Sequence, residues 1–104
     1  MGIDKFANDD VKLLYKALLT LETEEDSANL LDDLCSVAEI FEMSRRMRAA
    51  EMLYHNHQYT EIVKKTGLST ATISRVSRCL RYGSDGYQKT LDKIFADEKE
   101  KEKP

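Results

Sequence analysis

Between Gly67 and Ser84 the chain carries no acidic residue, while Arg75, Arg78 and Arg81 recur at intervals of three. Ahead of them stands a run of short side chains, Thr70, Ala71, Thr72 and Ser74. On a helix, residues three apart are neighbours, so the arginines would form one charged stripe. A guanidinium pairs bidentately with phosphate or with a guanine edge. Short hydroxyl and methyl groups let a helix backbone enter a major groove and touch base edges or a thymine methyl. Lys64 and Lys65, just upstream, add charge suited to phosphates. This is the chemistry of nucleic-acid recognition, not of bond making.

Other reactive side chains lead less far. His55 and His57 with Cys35 or Cys79 suggest zinc, but structural sites need four ligands at recognisable spacing, and a close cysteine pair is missing. The histidines read as polar residues closing a helix C-terminus, and no metal is expected. Asp9-Asp10 and Asp32-Asp33 sit among other acids at helix ends. No nucleophile or glycine-rich phosphate loop accompanies them, so an enzyme is not expected. Met43, Met47 and Met52 read as packing residues. Cys35 and Cys79 read as buried free thiols of a reducing compartment.

The elements that must position the arginines are helical. Apolar residues make up 41% of the 104 and charged residues 34%, which suits a soluble helical chain. With one proline and four glycines there are few breaks. No apolar run reaches membrane-spanning length, and MGIDKFANDD lacks a basic segment followed by a hydrophobic one. A cytoplasmic protein without membrane contact is expected. The net charge of −3 hides a strong segregation: residues 1–42 hold three Lys and eleven acids, whereas residues 43–82 hold eight Lys/Arg and two acids. A basic middle is what phosphate neutralisation requires, although solvated helix faces also segregate charge.

Six helices in one domain, residues 1–96, are expected, with a charged tail 97–104 that frays. Asn8 or Asp9 caps the first, whose stripe of Val11, Leu14, Tyr15, Leu18 and Leu21 is wide for a helix at the end of a small chain. Thr23 to Asp26 opens the second. Ser36-Val-Ala-Glu39 is a capping box opening a longer third helix, which His55 to Gln58 ends. Two short helices flank Gly67-Leu68-Ser69, and Gly83 to Gly86 is a turn before a last helix with Tyr87, Leu91, Ile94 and Phe95 on one side.

The segment from about Tyr59 to Tyr82 is a helix-turn-helix pattern. Gly67 stands where the turn asks for positive φ. Leu68 plugs the corner, and Ser69 is placed to cap the second helix. Ile62, Thr66, Leu68, Ile73 and Val76 fall at the spacing that buries one face of each helix. Thr70, Ala71, Thr72, Ser74, Arg75, Ser77, Arg78 and Arg81 remain for solvent.

The run from Ser36 to Tyr87, with LCSVAEI, SRRMRAAEML and TGLSTATISRVSRCLRYGSDGY, resembles the Trp repressor superfamily, and within it the YerC/YecD-type branch. The resemblance implies an intertwined homodimer that regulates transcription, as a repressor, by sequence-specific binding of palindromic double-stranded DNA. The family's base- and phosphate-contacting positions fall on Tyr59, Thr60, Thr70, Ala71, Thr72, Ser74, Arg75 and Arg78; Lys64, Ser69 and Arg81 join them from the residue types. The two arginines that would bracket a corepressor fall on Arg46 (Arg45 if the His55–Gln58 loop is aligned without a gap) and Arg75. Val76 stands where the family's pocket has glycine, and Cys79 where it has serine. Val76 would place two methyl groups in the indole space, so tryptophan is not expected to bind. Another small-molecule effector, or constitutive binding, then remains. The alternative function is a protein-interaction module that keeps the scaffold without binding DNA, but such a module has no need of an acid-free helix bearing three arginines.

Overall fold

A computed structural model describes residues 8–98. All of its regular elements are helices: α1 (Asp9–Leu19), α2 (Glu24–Leu34), α3 (Val37–Tyr54), α4 (Tyr59–Thr66), α5 (Thr70–Tyr82) and α6 (Gly86–Ile94). Phe95 interrupts the last, and residues 96–98 are helical again. Of the charged tail, residues 99–104 lie outside the described residues. The chain divides into two compact units, Met1–Glu42 and Met43–Pro104.

In the first unit, local side-chain chemistry opens every helix. Asn8 Oδ1 accepts the Val11 amide at 2.8 Å, satisfying one of the four donors a helix start leaves unpaired. Thr23 Oγ1 accepts the Asp26 amide at 3.0 Å, while Asp26 Oδ2 accepts the amides of Thr23 and Glu22. Ser36 and Glu39 form the expected box, with Glu39 Oε1 accepting the Ser36 amide at 2.9 Å and Ser36 Oγ accepting the Glu39 amide at 3.2 Å. That contact holds the Glu39 carboxyl below its ordinary pKa, the Ser36 backbone amide being the main cause. Burial is what this unit lacks: no residue of α1 or α2 is buried. Leu13, Leu14, Tyr15, Leu18 and Leu19 are all exposed, as are Leu34, Val37 and Phe41.

The second unit holds the core. Ala49, Ala50, Met52 and Leu53 of α3 pack with Ile62, Leu68, Ile73, Val76, Leu80 and Leu91. The end of α3 is a Schellman-type stop: the His57 amide reaches the Met52 carbonyl at 2.9 Å and the Asn56 amide reaches Leu53 at 3.0 Å. Asn56 takes the left-handed conformation there, with φ 65. The end of α6 returns to this corner. Tyr54 donates its hydroxyl to Asp92 at 2.9 Å, and the Tyr54 and Phe95 rings stack at 6.0 Å. The one-sided α6 expected from the sequence is corrected in part: Leu91 is buried and Tyr87 and Phe95 half-buried, but Ile94 is exposed. Ile94 instead lines an open groove of about 390 Å³ with Met47, Leu91 and Phe95.

Candidate nucleic-acid interface

The candidate interface is built on α4, a turn and α5. Glu61 opens α4 from inside, its Oε1 accepting the Gln58 amide at 3.3 Å and its Oε2 meeting His57 Nδ1 at 3.0 Å. The His57 contact is the largest cause of the lowered Glu61 pKa. Gly67 ends the helix at φ 73 and sends its amide to the Val63 carbonyl at 2.8 Å. Thr66 is buried beneath the turn. Its hydroxyl donates to the Ile62 carbonyl at 2.7 Å and accepts the Leu68 amide at 3.2 Å. The turn is thus held by a left-handed glycine on one side and a bridging hydroxyl on the other. Leu68 then enters the core, and Ser69 caps α5 by accepting the Thr72 amide at 3.1 Å.

The five positions expected to bury one face, Ile62, Thr66, Leu68, Ile73 and Val76, are all buried. Thr70, Ala71, Ser74, Arg75, Arg78 and Arg81 are exposed on α5, as are Tyr59, Thr60, Lys64 and Lys65 on α4 and Ser69 in the turn. Thr72 is half-buried. Ser77 corrects the sequence reading: it is buried, since it lies one turn beyond Ile73 and one before Leu80. Among the described residues, none of Lys64, Lys65, Arg75, Arg78 and Arg81 is paired with a carboxylate. Three arginines and two lysines therefore stand on one helix pair with their charge uncompensated.

Tyr59, exposed at the start of α4, feels groups of α5. The Ser77 hydroxyl is the main cause of its lowered phenol pKa, with Ser74 and the Arg81 charge adding to it. Nothing in residue spacing announces this influence, because the groups of α5 lie some fifteen or more positions away.

The residues at the corepressor-like positions divide. Arg46 and Arg75 are exposed, Cys79 is half-buried, and Val76 is buried in the core at 2% exposure. Arg45 is exposed too. Cys79, Gly83, Ser84, Gly86, Tyr87 and Thr90 line an open cavity of about 480 Å³. Tyr87, read from the sequence as a packing residue, meets these groups: burial raises its phenol pKa, against the lowering charges of Arg46 and Arg75. Both cysteines are free thiols, half-buried where the sequence reading had them buried.

His55 has both ring nitrogens against carboxylates, Nδ1 on Glu51 Oε2 at 2.8 Å and Nε2 on Glu98 Oε2 at 2.9 Å. Its ring also meets Phe95 edge-on at 4.7 Å. It fastens the start of the tail to the end of α3. Among the described residues no group of three or more His, Cys, Asp or Glu is arranged to hold a metal ion, and no helix is long and apolar enough to cross a membrane.

Two short helices crossing at a glycine turn, with a capped second helix that is basic on its outer face, define a helix-turn-helix protein. Residues 9–95 match the family of the Trp repressor protein. The uncharacterized protein YerC of Bacillus subtilis (strain 168) is 41% identical over 100 residues, which span 96% of each chain. Two solved structures share the fold. A candidate Trp repressor from Staphylococcus aureus has a TM-score of 0.82 at 41% identity, covering 90% of this chain and 94% of that one. A TrpR-like protein from Eubacterium eligens ATCC 27750 has a TM-score of 0.81 at 38% identity, covering 88% and 94%. The chain belongs to the Trp repressor family.

Proposed function

We propose that this protein is a dimeric transcription regulator, a repressor acting in the cytoplasm, that binds palindromic double-stranded DNA sequence-specifically through α5. The observation that carries the reading is the outer face of α5: exposed, free of acid, and lined by Arg75, Arg78 and Arg81. Lys64, Lys65, Arg78 and Arg81, with Tyr59 and Thr60 at the start of α4, contact phosphates and set affinity and its salt dependence. Thr70, Ala71, Thr72, Ser74 and Arg75 meet base edges, with Ser69 holding the helix start.

Dimerisation is supported by the first unit, where, among the described residues, two helices rich in leucine have no fully buried residue and leave Leu13, Leu14, Leu18, Leu19 and Leu34 exposed. Apolar area left in water forgoes about 25 cal/mol per Å², and a second copy of the same surface is the partner always at hand. In that dimer residues 1–96 form one domain, and two recognition helices meet successive major grooves about 34–36 Å apart.

The protein does not respond to tryptophan. Val76 is closed into the core, and the chain's own half-buried Tyr87 phenol already feels the Arg46 and Arg75 charges. A different effector would occupy the neighbourhood of Arg46, Arg75, Val76 and Cys79.

The test is a titration of purified protein against genomic fragments at moderate salt, with the retained DNA sequenced, in the presence and absence of tryptophan. Enrichment of one palindrome, unchanged by tryptophan, is expected. A motif that appears only with tryptophan would refute the effector argument. No retained duplex under either condition would favour a protein-interaction module.

A further inference from the structure

We propose that a proton on His55 operates a clasp beyond the end of α6. The charged ring holds residues 96–98 against α3, and the neutral ring releases them while keeping its bond within α3.

The ring lies between two carboxylates that belong to different elements. Nδ1 faces its own helix, at 2.8 Å from Glu51 Oε2 and 3.0 Å from the Glu51 carbonyl oxygen. Nε2 faces the segment after α6, at 2.9 Å from Glu98 Oε2. All three oxygens are acceptors, since a carbonyl and an ionised carboxylate have no proton to give. The direction of each bond is therefore fixed. Both ring nitrogens donate, which only the imidazolium can do. Glu51 has a further partner, with Arg48 Nη1 at 2.8 Å from its Oε1. Glu98 has no second ion pair among the described residues. Of the other groups at this corner, Asp92 accepts the Tyr54 hydroxyl at 2.9 Å and the Gln88 side-chain amide at 3.1 Å, and Phe95 meets the imidazole edge-on at 4.7 Å.

A neutral imidazole has one proton for these three oxygens. Placed on Nδ1 it serves two of them, both on the same helix. Placed on Nε2 it serves one, on a residue 43 positions away, and leaves the Nδ1 lone pair facing two oxygens. The Nδ1–H tautomer is the better satisfied, and it turns the Nε2 lone pair toward the Glu98 carboxylate. A lone pair against an anion is repulsive, so the contact between elements fails while the one inside α3 survives. Residues 96–98, helical after the break at Phe95, then lose their ion-pair tie to α3. The sign follows from the same contacts. Glu98 is the largest cause of the raised His55 pKa. Docking is thus complete below the ordinary histidine value of about 6.5 and weakens as pH rises through the raised value.

The test is nuclear magnetic resonance on the full chain from about pH 5.5 to 9, where carboxylates stay ionised. Backbone shifts of residues 96–98 read the docked fraction, and the nitrogen shifts of the His55 ring read its charge and tautomer. Wild type is compared with Glu98→Gln, each first checked for native helical circular dichroism. Glutamine separates charge from contact, because its amide accepts from a protonated Nε2 and donates to a bare one.

We expect the wild-type undocking constant to rise about two- to fivefold across the histidine transition, the range of an exposed ion pair. The neutral ring should carry its proton on Nδ1. Glu98→Gln should stay docked to the same extent at every pH. A wild-type segment indifferent to pH, a neutral ring protonated on Nε2, or a Glu98→Gln segment that still undocks as pH rises would each overturn the clasp.

Discussion

Replacing Thr66 by valine tests whether the recognition turn is held by a hydroxyl or merely by packing. Valine has nearly the shape of threonine, so the substitution makes no cavity at a site only 8% exposed. Two hydrogen bonds are lost, and they differ in consequence. The Ile62 carbonyl, which accepts the hydroxyl proton at 2.7 Å, lies inside α4 and keeps its helical amide partner. The Leu68 amide lies in the turn, and its bond to Thr66 Oγ1 at 3.2 Å is the one that satisfies it. A buried donor left without a partner costs about 1–3 kcal/mol. The bond here is at the long end of the normal range, so we take the lower half, about 1–2 kcal/mol. For a domain of this size that is a fall in Tm of roughly 4–8 °C per kcal/mol. Melting should be followed at one fixed protein concentration, because association would raise Tm by mass action. Amide hydrogen exchange at Leu68 gives the local readout and should accelerate in the variant. A valine variant that melts with the wild type and protects Leu68 equally would show that the hydroxyl bridge contributes nothing.

Arg78→Ala should weaken binding to all duplexes and reduce the salt slope by about one, whereas Thr72→Ala should alter preference at one base pair by about 1–3 kcal/mol; equal losses on specific and random DNA from both would refute the division between phosphate and base contacts. Gly83→Ala drives a Cβ into the Cys79 carbonyl oxygen, while Gly86→Ala meets open space. Chemical denaturation should therefore show the first destabilised by about 1–3 kcal/mol and the second near neutral, and equal midpoints would refute the close approach. Leu14→Glu with Leu18→Glu should shift sedimentation from dimer to monomer, and an unchanged dimer would move the interface off α1. His55 is protonated when both its nitrogens donate, and its pKa is raised chiefly by Glu98. Its stabilisation is then complete below the unfolded value of about 6.5 and is lost as pH rises through the raised folded value. The stability advantage of wild type over His55→Gln should shrink over that interval, and an advantage that grows would contradict the assignment.

What was legible in the sequence is what depends on near neighbours. The caps act over three residues: those at Ser36 and Ser69 are observed as read, Asn8 and not Asp9 caps α1, and Thr23, read only as a break, caps α2. The helix-turn-helix followed from Gly67 and from apolar spacing on both sides of it. Ser77 shows where residue type misleads: Ile73, Val76, Ser77 and Leu80 form one stripe by position, yet the hydroxyl suggested solvent. Its place on that stripe, one turn from both Ile73 and Leu80, outweighs its polar side chain. Asn56 and Asp85 carry positive φ where a reader looks first to glycine, and Gly83 is needed for close approach to Cys79, not for its φ of −83.

Tyr87 marks the same boundary in function. Its spacing in α6 matched a packing face, and it does pack against the core. Only the meeting of α3, α5 and α6 brings its phenol under the charges of Arg46 and Arg75. Whether the neighbourhood of those arginines admits a ligand depends on volume already taken by the chain's own side chains. A sequence pattern can align the arginines and flag Val76. It cannot report that Val76 is turned into the core while an aromatic from a later helix feels the charge of both arginines. The space left near those arginines is therefore set by how α6 packs as well as by Val76.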